Sequence, residues 1–167
     1  FPIYVLLTKS DLIAGFTDGN AAGSDVFVRR TGSSATLLVS HAIGGNATGG
    51  NGASEAPTVD ATGAVVAFES DASDQIAVDT NGVRDVFFAT VTGSAPFTKT
   101  RASVTSAGAE ATGGASSAAA VHTAGSRVRV AYQSDATNLA TGLVAATNVY
   151  LFDSQSGGST LLNQRIT

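Results

Sequence analysis

The segment Asp79-Thr80-Asn81-Gly82-Val83-Arg84-Asp85 carries oxygen-bearing side chains at its first, third and seventh positions, with a glycine beside the second. That spacing is how a calcium loop begins. A full loop also needs an acidic ligand further along to close the coordination shell, and the chain has none there. Asp18-Gly19-Asn20, ahead of Asp25, is a shorter version of the same pattern. These residues also make turns, because Asn-Gly supplies positive φ and an aspartate side chain bonds the backbone next to it. The turn is the expected role, so no metal site is assigned and calcium is not expected to be needed for folding.

The remaining chemistry is sparse. His41 and His122 fall in separate segments, without a second histidine or an acidic residue at ligand spacing. Serines abound, yet no Gly-x-Ser-x-Gly elbow accompanies them. Gly44–Ser54 is rich in glycine but lacks the Lys-Ser or Lys-Thr of a phosphate loop, so it reads as a flexible connection, with Ala107–Ser117 as its counterpart. Absence of cysteine removes disulfides, thiolate metal sites and a cysteine nucleophile. No catalytic, cofactor-binding or metal-binding residue is assigned, and the chain is not expected to be an enzyme.

A recurrence explains why aspartates appear where they do. Ser10-Asp11 precedes Ser24-Asp25-Val26-Phe27-Val28. Ser70-Asp71 precedes Arg84-Asp85-Val86-Phe87-Phe88, and Ser134-Asp135 precedes Thr147-Asn148-Val149-Tyr150-Leu151. The offsets are 60 residues from Asp25 to Asp85 and 63 from Asp85 to Asn148. A residue that recurs in every copy answers a need of every copy, so Asp11, Asp71 and Asp135 are expected to be structural. Short polar side chains at strand ends satisfy backbone N–H groups as the chain leaves a sheet.

The elements that position these residues are short strands. In the middle copy, strands are predicted at Ala56–Asp60, Ala64–Glu69, Val83–Val91 and Phe97–Val104, with turns at Ala61–Gly63 and Thr92–Ser94. In the third copy they fall at Ala118–His122, Arg127–Gln133, Thr147–Phe152 and Thr160–Arg165. The first copy starts at its second strand, Pro2–Thr8, and continues with Asp25–Arg30 and Ala35–His41. Apolar residues do not recur at helical spacing, and Gly, Ser and Thr break every window. The fold class is therefore all-β: three four-stranded antiparallel blades of a β-propeller, incomplete because the first lacks its opening strand. The blades span about 1–50, 54–110 and 116–167 of a single array over 1–167. A single β-sandwich is the rival fold. Phe68, Phe87, Phe88, Tyr132, Tyr150 and Phe152 are expected to pack between blades.

The middle copy, Ala56-Pro57-Thr58-Val59-Asp60-Ala61-Thr62-Gly63 through Val66-Ala67-Phe68-Glu69-Ser70-Asp71 to Asp79-Thr80-Asn81-Gly82 and Asp85-Val86-Phe87, resembles the TolB-like, WD-repeat-like propeller repeats of bacterial envelope and secreted proteins. The likeness is strong in this copy, partial in the third and weak in the first. Thr62-Gly63 and Ala124-Gly125 stand where the family has Asp-Gly, and Leu143–Ala146 replaces the loop motif. The resemblance implies the propeller fold and an extracytoplasmic setting, periplasmic or secreted, but no single activity.

Bulk properties narrow the function classes. With 167 residues, 43% hydrophobic and 13% charged, the chain can bury a core. A net charge of −4 with scattered cations lacks the basic face of a nucleic-acid binder. No apolar run is long enough to span a bilayer. The expected function is a non-catalytic structural or interaction module, a subunit or fragment of a larger extracytoplasmic assembly. Its terminal blades would be covered by a protein partner or by further blades of the same protein. A ligand- or glycan-binding propeller is the alternative, followed by a propeller hydrolase.

Overall fold

The computed structural model describes residues 4–8, 23–45, 47–142 and 147–163, and for 4–8 only the course of the backbone. Eleven strands appear among them, and no helix: β1 (Tyr4–Thr8), β2 (Val26–Arg30), β3 (Thr36–Leu38), β4 (Ser54–Val59), β5 (Val65–Ser70), β6 (Asp85–Thr90), β7 (Lys99–Arg101), β8 (Ser116–Ala124), β9 (Arg127–Ser134), β10 (Asn148–Asp153) and β11 (Gly158–Leu161). They form three antiparallel meanders in chain order, β1-β2-β3, β4-β5-β6-β7 and β8-β9-β10-β11. The described chain is thus all-β, and among the described residues its first sheet has three strands where the others have four. No described helix is long and apolar enough to cross a membrane.

Why the middle sheet forms is visible in its composition. β5 (Val-Val-Ala-Phe-Glu-Ser) is buried at all six positions, and β6 at five of six. A continuous apolar run of this kind belongs to a strand covered on both faces. One face presents Val66, Phe68, Phe87 and Ala89 to Val26, Val28 and Val39 of the first sheet. The other presents Val65, Ala67, Val86 and Phe88 to Val130, Tyr132, Tyr150 and Phe152 of the third. Phe68 stacks on Phe87 with ring centroids 5.9 Å apart, and Tyr132 on Tyr150 at 5.7 Å, at matching places in their sheets. The strand aromatics therefore pack between sheets, as their positions predict.

The same local devices recur. β4 and β5 slip register between Glu55 and Thr58, and β8 and β9 slip between Ser117 and Ala120, 62 residues later. Ala56 and Ala118 take φ of 48° and 54° inside these bulges. The left-handed conformation costs an L-residue about 1 kcal/mol, least where the side chain is only a methyl group. The bulge turns the Ala118 N–H out of its own ladder, and it donates to Glu69 Oε1 of the middle sheet at 2.7 Å. Neighbouring sheets are also joined through backbone: Ser54 N donates to Ser24 O at 2.7 Å, and Ser116 N to Arg84 O at 2.8 Å.

Several strands depart from their predicted bounds: β4 and β8 each begin two residues earlier than expected. β7 covers only Lys99–Arg101 of the expected Phe97–Val104, because Ala102 N and Ser103 N both turn to Val86 O at 2.8 and 3.4 Å, which ends the ladder. β11 ends at Leu161, and the rest of the predicted Thr160–Arg165 strand reaches residues outside those described. The glycine-rich connection is also not a loose linker. Gly52 lies so close to Asp71 that a Cβ would stand 2.6 Å from its carbonyl carbon, and Gly114 repeats this against Asp135 at 2.5 Å. Only glycine admits such an approach of two backbones.

Candidate functional site

The recurring aspartates and serines resolve into two small motifs. At the start of β2, Ser40 Oγ donates to Asp25 Oδ1 at 2.7 Å and accepts from Val26 N at 2.9 Å. In the middle sheet Ser103 Oγ donates to Asp85 Oδ1 and accepts from Val86 N at 3.1 Å. In the third, Asn163 Oδ1 accepts from Val149 N at 2.9 Å, and its Nδ2 donates to Asn148 Oδ1 at 3.2 Å. An amide pair thus does the work of the carboxylate and hydroxyl. Val26, Val86 and Val149 accordingly occupy equivalent places in three similar sheets.

The second motif uses Ser70-Asp71 and Ser134-Asp135. Ser70 Oγ meets Ser54 Oγ at 2.9 Å and accepts from Ala72 N at 3.1 Å; Ser134 does the same with Ser116 and Ala136 at the same distances. Asp71 takes a two-pronged contact from Arg84, at 2.9 and 2.6 Å, and Asp135 accepts from Thr147 Oγ1 at 2.6 Å. Each of these groups closes a loop of its own sheet. Ser10, Asp11 and the segment Asp18-Gly19-Asn20 lie outside the described residues.

Residues that break the repeat are more informative than those that keep it. Opposite Phe27, Phe87 and Tyr150 stand Leu38, Arg101 and Leu161. Opposite Arg29, Ala89 and Phe152 stand Thr36, Lys99 and Ser159. β7 alone carries charges at both positions, and both are buried, with Lys99 7% and Arg101 6% exposed. Buried cations need partners or a function.

Arg101 finds partners in the loop that resembled a calcium site. Its guanidinium lies 3.0 Å from Asp85 Oδ2, 3.5 Å from Asp79 Oδ1 and 2.8 Å from Glu110 Oε1. Asn81 Nδ2 donates to Asp85 Oδ2 at 2.8 Å, its Oδ1 accepts from Val83 N at 3.1 Å, and Thr80 holds Glu110 through both backbone and hydroxyl. The segment is therefore a turn wrapped around an internal cation. Burial pushes the Asp79 and Asp85 carboxyls above the ordinary range, against the opposing pull of Arg101. Burial also works against ionised Glu110, but hydrogen bonds from Thr80 and Arg101 outweigh it and hold that carboxyl low. Among the described residues no group of three or more acidic or histidine side chains is placed to hold a metal. Thermal melts with calcium and with a chelator are expected to coincide, because the Arg101 guanidinium already sits among the loop carboxylates where a cation would lie; a large chelator-induced fall in melting temperature would contradict this.

Two of the clefts beside β7 are lined by its buried cations. The larger, about 1060 Å³, runs between the middle and third sheets and is walled by Phe88, Val104, Val128 and Phe152, with Arg101, Glu110 and Asn138 at its polar side. The smaller, about 370 Å³, is lined by His41, Gln75, Phe97 and Lys99. Ile76 belongs to both. His41 is the single sequence candidate found there. His122 is exposed on β8, and Asp71 and Asp135 lie elsewhere. No family model matches the chain, and no curated protein or solved structure matches it significantly. Sequence reasoning passed over Lys99 and Arg101 because each is an isolated cation. Aligning the copies on Val26, Val86 and Val149 would not have exposed them, because the connection before β7 is three residues longer than its counterparts; only the strand pairing places Lys99 against Thr36 and Ser159, and Arg101 against Leu38 and Leu161.

Proposed function

We propose that the three sheets are successive blades of a β-propeller-type array that acts as a rigid, non-catalytic interaction module within a larger extracytoplasmic assembly. The observation that carries this reading is the burial of the middle sheet on both faces. Sheets that stack face to face through equivalent residues, bulges and backbone links form an array that can be extended by further sheets. The resemblance of the middle copy to TolB-like repeats points the same way and supplies the extracytoplasmic setting.

The reading implies a specific contact. The third sheet bears Ala131, Val149 and Leu151 on the face that corresponds to Ala67, Val86 and Phe88 of the middle sheet, and all three are only half-buried. Arg129 stands in place of Val65, which tilts the face toward a polar contact. The occupant we assign is another sheet of the same repeat type, because that is what the corresponding face of the middle sheet carries. Sedimentation equilibrium of the chain over a range of concentrations is expected to show reversible association. The double substitution Val149→Lys with Leu151→Glu is expected to weaken that association while leaving the melting temperature of the dilute chain nearly unchanged. A monomer at every concentration would refute the assignment. A ligand-binding role is the second reading, favoured by the apolar walls of the 1060 Å³ cleft.

A further inference from the structure

Lys99 is the buried group that neither the repeat nor the interaction module uses. Thr36 and Ser159 occupy its place in the other sheets, so the fold itself does not ask for an amine there. Its Nζ donates to the His41 carbonyl oxygen and lies 3.0 Å from His41 Nδ1. No carboxylate among the described residues pairs with it; Asp74 acts only at longer range. His41 is held neutral. Its Nε2 accepts from Phe97 N at 2.9 Å, its Nδ1 donates to Ala42 O at 2.8 Å, and burial disfavours the imidazolium. An unpaired amine enclosed in this way loses its proton readily, and burial brings Lys99 down to about 8. A lysine desolvated in an apolar pocket is the activated form of the amine nucleophile.

A second side chain in the same cleft carries one unsatisfied atom. Gln75 is 1% exposed; its Nε2 donates to Ser40 O at 2.8 Å, while its Oε1 accepts no hydrogen bond among the described residues. Buried side-chain oxygens of this kind are uncommon and call for an explanation. Ile43, Ile76, Pro96 and Phe97 supply the apolar remainder of the lining.

We infer that the cleft between His41 and β7 is a carbonyl-capture site, in which Lys99 Nζ forms an imine with a small hydroxyaldehyde whose hydroxyl donates to Gln75 Oε1. The nitrogen lone pair adds to the carbonyl carbon, and the carbonyl π pair moves to oxygen. A proton passes from nitrogen to that oxygen to give the carbinolamine. The hydroxyl then leaves with the remaining N–H proton as water, and the nitrogen lone pair forms the C=N bond. Amine plus aldehyde gives imine plus water, with no change of oxidation state. His41 is a positioning residue, since its carbonyl holds the amine.

The chain makes the test clean, because its only lysines are Lys9 and Lys99. The folded protein is treated with glycolaldehyde and sodium cyanoborohydride near neutral pH, and the adduct is mapped by peptide mass spectrometry. Labelling of Lys99 is expected to outpace that of free Nα-acetyl-lysine by about tenfold or more, as a depressed amine pKa implies. The rate should rise with pH to half its maximum near 8. The preference for glycolaldehyde over acetaldehyde should exceed that of Nα-acetyl-lysine, which reads the Gln75 contact without any substitution. Lys99→Thr, the residue of the first sheet, should remove the label and keep the fold. Equal rates at Lys99 and Nα-acetyl-lysine would overturn the proposal. So would labelling of Lys99 only after unfolding, or adducts confined to Lys9 and the terminal amine.

Discussion

Substituting Arg101 with leucine is expected to destabilise the protein by about 3–5 kcal/mol, the usual cost of leaving buried charge without its partner. The reference for this change is inside the molecule, since Leu38 and Leu161 occupy the same place in the other sheets. Size and strand propensity are therefore not at issue. What changes is charge: the Asp79 and Asp85 side chains are 4% and 0% exposed and would face each other without a cation. Asp85 keeps Ser103 and Asn81, whereas Asp79 loses its ion pair. The double variant Arg101→Leu with Asp79→Asn should therefore recover about half of the loss, which denaturant titration would measure. The deficit should also shrink in acid. Burial already raises both carboxyls, and removing Arg101 raises them further. The folded variant then binds more protons than its unfolded chain below neutrality, so its stability rises as pH falls toward 4. A single variant within about 1 kcal/mol of the parent would show that water reaches this cluster.

Asp60→Ala is expected to cost about 2–3 kcal/mol, through the simultaneous loss of several charge-assisted hydrogen bonds. Asp60 is 3% exposed and sits in the β4–β5 turn. Its Oδ1 accepts from Ala64 N and Val65 N at 2.7 and 2.8 Å. Its Oδ2 accepts from Thr62 N, Thr62 Oγ1 and Thr123 Oγ1 at 3.2, 2.6 and 2.6 Å. One carboxylate thus fixes a hairpin and ties it to β8 of the next sheet. Burial alone would raise this group, but the hydrogen bonds from Thr123, Thr62 and the turn backbone prevail and hold it at about 2. A folded value below the unfolded one means that the contribution is complete above about pH 4 and disappears as pH falls toward 2. The alanine variant should lack this acid-sensitive component, and Asp60→Asn, which keeps one oxygen for Ala64 and Val65, should fall between the two proteins. Parallel acid titrations of stability for parent and alanine variant would disprove the assignment.

The two groups differ in how far the chain announces them. Asp60 lies at a turn that Thr62-Gly63 makes legible, yet its reach to Thr123 depends on how the middle and third sheets stack. Arg101 and Lys99 sit in a strand whose apolar alternation is weak, and nothing adjacent in sequence declares a partner for either. Arg101 meets Asp79, 22 positions back, and Lys99 meets His41, 58 positions back. Contacts over such separations follow from strand order and not from local pattern. Conversely, the calcium-like spacing of Asp79 to Asp85 could not disclose that a guanidinium sits among its carboxylates.

The sequence alone determined the all-β class, the three copies and the strand-based burial of their aromatics, because period-two patterning, turn residues and a repeated phrase are local properties of a chain. It also pointed to a structural role for the recurring Ser-Asp pairs, Asp71 and Asp135 among them, since recurrence at near-constant offset is itself evidence of a shared backbone need. Only the tertiary structure decided which residues are exceptional. Stacking the sheets buried Lys99 and Arg101 of β7, and burial is what converts an ordinary cation into a group that must be paired or reactive. A cation's solvation is set by everything packed around it, and that environment is assembled from all three sheets.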